Sequence, residues 1–172
     1  CGYCQQKITN SKNATIEHYC ERAIFNGTGG KPDLTLDYTN MMAVCPGKGD
    51  GELHCDENKS NFKITSGLPI NISPWEQAHI NAISYNNTGT IKSSNTTHNN
   101  EINIILNLNA KYIKRKRRDK FVYFLKSVGD INLRKGKDKL KRLLDDDLDF
   151  GNNRYSNSFP GMSKYMLNKF CY

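Results

Sequence analysis

The chain has no apolar run near the ~18 residues that a membrane-spanning helix requires, and no internal repeat. Histidine is scarce, with only His18, His54, His79 and His98. No H-E-x-x-H, G-x-S-x-G, P-loop or paired-finger spacing occurs, which removes the usual signatures of zinc proteases, serine hydrolases and nucleotide-phosphate binders. Nothing in the sequence implies a cofactor or a metal site. A chain of 172 residues reads as one domain, residues 1–172, long enough to bury a core.

Six cysteines are present: Cys1, Cys4, Cys20, Cys45, Cys55 and Cys171. An even count suits a disulfide framework in an oxidising compartment. The opening C-G-Y-C could instead be a redox dithiol. A redox C-x-x-C follows a strand and caps a helix whose field lowers the thiol pKa, but nothing precedes Cys1 here and the stretch after Cys4 is not strongly amphipathic. The expectation is therefore structural: Cys1 and Cys4 bond to different partners, and Cys171 bonds to one of the other five. His54-Cys55-Asp56-Glu57 could suggest a Cys/His site, but a bridged Cys55 is the expected state.

Six N-x-[ST] sequons, at Asn13, Asn26, Asn58, Asn71, Asn86 and Asn95, all fall in the first 95 residues. Glycosylation at these positions, together with the cysteines, implies a secreted glycoprotein. A start at Cys1 without an initiator Met reads as a processed form.

Hydrophobic periodicity predicts a helix over 13–25, with Ile16, Tyr19, Cys20, Ala23 and Ile24 on one face. It predicts short strands at Leu34–Tyr38 and from Phe62 to Ile64, with turns in the loop between Cys45 and Cys55. Ser73-Pro74-Trp75-Glu76 reads as the N-terminus of a second helix. Residues 86–100 read as a polar exposed loop. Alternation at Ile102, Ile104, Leu106 and Leu108 predicts a strand, and Phe121 to Leu125 a second. Helices are expected over 137–150 and 163–170. The fold class is α+β with helices prominent, a small disulfide-stapled secreted domain, with all-α as the alternative.

Charge is concentrated. Residues 111–142 hold 14 Lys and Arg against 3 Asp, a net +11 within a chain of +8, so the remainder is −3. Lys114, Arg115, Lys116, Arg117 and Arg118 form the centre of an exposed basic segment, 111–120, projected by a hairpin. It could bind a polyanion such as heparin or nucleic acid, be cut by a basic-specific protease, direct nuclear import in a target cell, or be a solvated tract with no role. The acidic run Asp145, Asp146, Asp147 and Asp149 lacks calcium-loop spacing and reads as a solvated helix end. The sequence thus points to a secreted binding or effector protein contacting an anionic partner through its basic segment. The alternatives are a hydrolase or nuclease with a site assembled from scattered residues, and a precursor processed at the basic tract.

Overall fold

The computed structural model describes residues 1–30, 32–62, 70–129, 132, 134–149 and 158–172. The architecture is α+β: short antiparallel ribbons in the first half, and long helices in the second.

The first ribbon pairs β1 (Thr15–His18) with β2 (Met41–Val44), in the register Thr15↔Val44 to His18↔Met41. The helix expected over 13–25 is therefore a strand at its start. The pattern was misleading because the ribbon inverts the usual polarity: Ile16 is 68% exposed, whereas Glu17 is buried. Residues 19–40 form a long excursion closed by a bridge between Asn26 and Asp33 and by a 3-10 turn, Tyr38–Asn40, in which Thr39 N donates to the carboxylate of the capping Asp37 at 2.8 Å. No strand forms at Leu34–Tyr38, and Ile64 lies outside the described residues.

A small hairpin, β3 (Lys48–Gly49) with β4 (Glu52–Leu53), turns through Asp50 and Gly51. Both adopt positive φ, 48° and 78°, which is the geometry that makes Asp-Gly a hairpin signal. The chain enters α1 (Cys55–Lys59) directly after it, with Asp56 and Glu57 in the first turn, where the helix dipole favours acids.

Next come α2 (Gln77–Asn81), the ribbon β5 (Ile83–Tyr85) with β6 (Ile91–Ser93), and α3 (Thr96–Asn100), which runs into a π-turn at Glu101–Ile105. The second helix begins later than its Ser-Pro signal suggested. The stretch 86–100 is not a simple loop either, since it contains β6 and α3 and buries Ile91 and His98. The expected strand at 102–108 is the π-turn and its exit, with Ile102, Leu106 and Leu108 buried and Ile104 exposed.

The second half is three helices: α4 (Lys111–Val128), α5 (Arg134–Leu148) and α6 (Pro160–Phe170), with α5 packed on both others. The segment Phe121 to Leu125 belongs to α4. In α5 the charges oppose the helix dipole, basic first and acidic last, and packing holds it: Leu140 and Leu144 are fully buried. Asp147 accepts from Lys120 Nζ at 2.6 Å and from Ser163 Oγ at 2.5 Å, tying all three helices together. Proline at the first position of α6 uses an amide-free start. The core is completed by Ile102, Ile113, Met162 and Met166, all with no exposure. No described helix is long and apolar enough to cross a membrane.

Candidate metal centre and the strand pair it anchors

None of the six cysteines is bonded to another, so the expected staples are not formed. Four of the thiols instead converge. Cys1 and Cys4 come from the N-terminal turn, Cys45 follows β2 and Cys55 opens α1; their Sγ atoms all lie within 4.8 Å of one another. Cys1 and Cys55 are 3.8 Å apart, and Cys4 and Cys45 3.9 Å. A tetrahedral thiolate centre with metal–sulfur bonds of about 2.3 Å has edges of about 3.8 Å. The spacing therefore fits a bound Zn²⁺, which prefers soft sulfur donors. Four protein ligands leave no open coordination position, so such a centre is structural rather than catalytic.

The backbone around the centre is shaped for this. Gly47 sits at φ +66°, and a Cβ there would lie 2.5 Å from the His54 carbonyl oxygen and 2.6 Å from Glu57 Cβ. Cys55 itself adopts φ 55°, and its amide donates to the Leu106 carbonyl at 2.8 Å. Electrostatics point the same way. Hydrogen bonds from Cys4 and Cys55 hold the Cys45 thiol far below its ordinary value. The same contacts push Cys55 well above its own, and Cys4, whose largest influence is the hydrogen bond to Cys45, up to about 12. Several thiolates in so buried a space require a cation. His54 lies behind the sulfurs, with Nδ1 3.3 Å from Cys55 Sγ and 3.9 Å from Cys45 Sγ, and its ring stacks on Tyr112 at 9°. An N–H donor at that place orients thiolates from the second coordination sphere.

The centre pins the N-terminus to the first ribbon, and Gly2 N donates to Ala43 O at 2.8 Å. Four side chains from the N-terminal turn, that ribbon and α1 are held as a unit. Glu17 accepts from the Tyr3 hydroxyl at 2.9 Å and pairs with the buried ammonium of Lys59 on α1. Asp56, also on α1, sits close enough to Glu17 to bond to it, and burial followed by that contact pushes its carboxyl up to about 6. Next to Glu17 in sequence but on the opposite face of β1, His18 is half-buried with Nε2 3.0 Å from the Thr35 carbonyl oxygen. A carbonyl only accepts, so Nε2 carries the proton and Nδ1 is left as a base. Thr35 is itself positioned by Asn40: the buried amide accepts from Cys20 N at 2.7 Å and donates to Cys20 O at 3.0 Å and Leu34 O at 3.3 Å, clasping the excursion shut.

The other expected site residues are dispersed. Cys20 and Cys171 lie outside the thiol cluster. Among the sequons, Asn13, Asn26, Asn71, Asn86 and Asn95 are exposed. Asn58 uses its amide on the carbonyls of Ile104 and Ile105, at 2.9 and 2.8 Å, and a sugar on that nitrogen would remove one of these bonds. The basic segment is not a projected loop but the first half of α4. Lys116 and Arg118 are exposed, Lys114 is half-buried, and Arg115 pairs with Asp50 at 2.6 Å. Arg117 is turned inward and only 2% exposed, because position 117 falls on the same helix face as Ile113, Phe121 and Phe124. A protease site within 115–118 would lie inside a continuous helix.

Comparison of the chain with known protein families, curated proteins and solved structures gives no match. The site is read from its own geometry. Glu17, Asn40, Asp56 and Lys59 carried no motif, whereas the spacing C-x-x-C followed by Cys45 and Cys55 was the one signal that could have identified the metal centre.

Proposed function

We propose that the four thiolates hold a zinc ion and that the ribbon they anchor carries a phosphodiester-hydrolysing site, making the chain a nuclease. The observation that carries this reading is the fixed imidazole of His18: Nε2 is committed to the Thr35 carbonyl at 3.0 Å, which leaves Nδ1 as an oriented proton acceptor on a half-buried residue of β1. In this reading His18 Nδ1 takes a proton from water, the water oxygen attacks phosphorus, and the bond to the leaving sugar oxygen breaks as that oxygen takes a proton from solvent water, giving a phosphate monoester and a free hydroxyl. A divalent cation such as Mg²⁺ arriving with the substrate would supply neutralisation of phosphoryl charge. Asn40 is a positioning residue that acts through the Thr35 loop.

The polyanion expected for the basic segment becomes the substrate. Exposed cations on α4 and α5, among them Lys111, Lys116, Arg118, Arg134, Lys135 and Arg142, supply the field that a phosphate backbone needs. Incubating the zinc-loaded chain with DNA and with RNA in Mg²⁺ or Mn²⁺ tests the reading. Cleavage is expected, and His18→Ala should slow it by roughly 10²–10⁴-fold while leaving zinc content and melting temperature near wild type. Polyanion binding without cleavage, or cleavage undiminished in His18→Ala, defeats the proposal and returns the chain to a binding role.

A further inference from the structure

A cavity with a volume of about 460 Å³ opens between the N-terminal turn, β5, the π-turn, α4 and α6. That size lies within the about 300–1,000 Å³ typical of small-molecule sites. Its walls are mostly aliphatic, with Ile83, Ile91, Ile102 and Leu106 among them. Arg117 and Lys164 line it together with neutral polar groups such as Gln5, Ser73 and Asn81, and no carboxylate does.

Arg117 is the informative member. The guanidinium is 2% exposed, makes no ion pair with a carboxylate among the described residues, and donates through one terminal nitrogen to the Leu108 carbonyl, while its Nε has no acceptor. A buried donor of this kind costs free energy unless something accepts from it, and a buried charge costs more. Burial lowers the Arg117 pKa and the Tyr85 hydroxyl, followed by the Cys4 and Cys55 sulfurs, opposes that shift, but none of them gives Nε an acceptor. Lys164, also in the lining, is exposed and stands on α6 just past its first turn.

We propose that this cavity binds a small organic anion, its carboxylate or phosphate head on Arg117 and its apolar body against Ile83, Ile91, Ile102 and Leu106. The site is separate from His18 and does not depend on the nuclease reading. Guanidinium suits both heads, because each is a planar or tripodal oxygen anion that accepts from two N–H groups. The aliphatic wall requires a body of several carbons and selects against free inorganic ions.

Isothermal titration of the reduced, zinc-loaded full chain with octanoate, octyl phosphate and 1-octanol tests this. One of the anions should bind saturably at one per chain, at least tenfold more tightly than 1-octanol, and whichever anion is preferred identifies the head. Arg117→Met should abolish the preference for an anion. Should that variant not fold, Ile80→Trp fills the space from a half-buried lining position and should abolish binding altogether. Equal affinity for 1-octanol, no saturable binding of either anion, or binding that survives Ile80→Trp overturns the proposal.

Discussion

At the scale of single residues, the chain places charged groups where apolar ones are expected, and each has a physical reason. Glu17 faces inward from β1 because Lys59, Tyr3 and Asp56 meet it there. Breaking such a pair from one side leaves an uncompensated buried charge, at a cost of about 3–5 kcal/mol. Lys59→Met should therefore lower the midpoint of urea unfolding sharply, whereas Arg118→Ala, an exposed change, should shift stability by no more than about 0.5 kcal/mol. Equal midpoints for the two variants would show that the pair is not structural. These inward charges also explain what the sequence hid. In α4 the buried face runs Ile113, Arg117, Phe121, Phe124 and Val128, and a reading that looks for apolar periodicity loses the helix at Arg117. In β1 the exposed Ile16 and buried Glu17 invert the signal outright. The candidate base, His18, was visible as a residue but not as a site, because its partner is a backbone carbonyl 17 positions away.

At the scale of elements, legibility follows packing. The expected helices over 137–150 and 163–170 correspond to α5 and α6, where leucines and methionines at helical spacing meet one neighbouring surface; Phe150 itself lies outside the described residues. The junction of α2 and α3 shows the opposite case, in which polar sequence is buried. His98, the third residue of α3, is 6% exposed, its Nδ1 has no partner, and its ring meets that of His79 on α2 at 4.3 Å. Burial lowers the His98 pKa, the charge of His79 lowers it further, and Glu101, just beyond α3, opposes them. A base whose folded pKa lies below its unfolded value binds more protons when unfolded, so stability is present above the unfolded value of about 6.5 and is lost as pH falls through it. Urea midpoints should accordingly decline from pH 7 to pH 5, and the decline should be shallower in His98→Phe. An identical slope in that variant would rule out this pair as the source.

At the scale of the molecule, the thiol cluster decides how the two halves depend on each other. It gathers residues from the N-terminus, β2 and α1, and α1 is in turn bound to the π-turn through Asn58 and through Cys55 N. Asn107 reaches back to the Leu53 carbonyl at 2.8 Å. A metal bound in the folded state and released on unfolding adds its binding free energy to stability. A metal there would account for four of the six cysteines without disulfides. Native mass spectrometry of reduced protein should find one zinc per chain. A strong chelator should remove it and lower the melting temperature, and Cys4→Ser should do the same without chelator. The ribbon end should fail first, with near-ultraviolet signals from Tyr3 and Tyr112 changing before the helical signal of α4, α5 and α6 is lost, since those helices are joined by their own core and by Asp147. A disulfide framework behaves in the reverse way: the chain would carry bonded Cys1–Cys55 and Cys4–Cys45 pairs, ignore chelator and lose stability to reductant. That outcome would sink the metal centre and, with it, the anchored ribbon on which the His18 site depends.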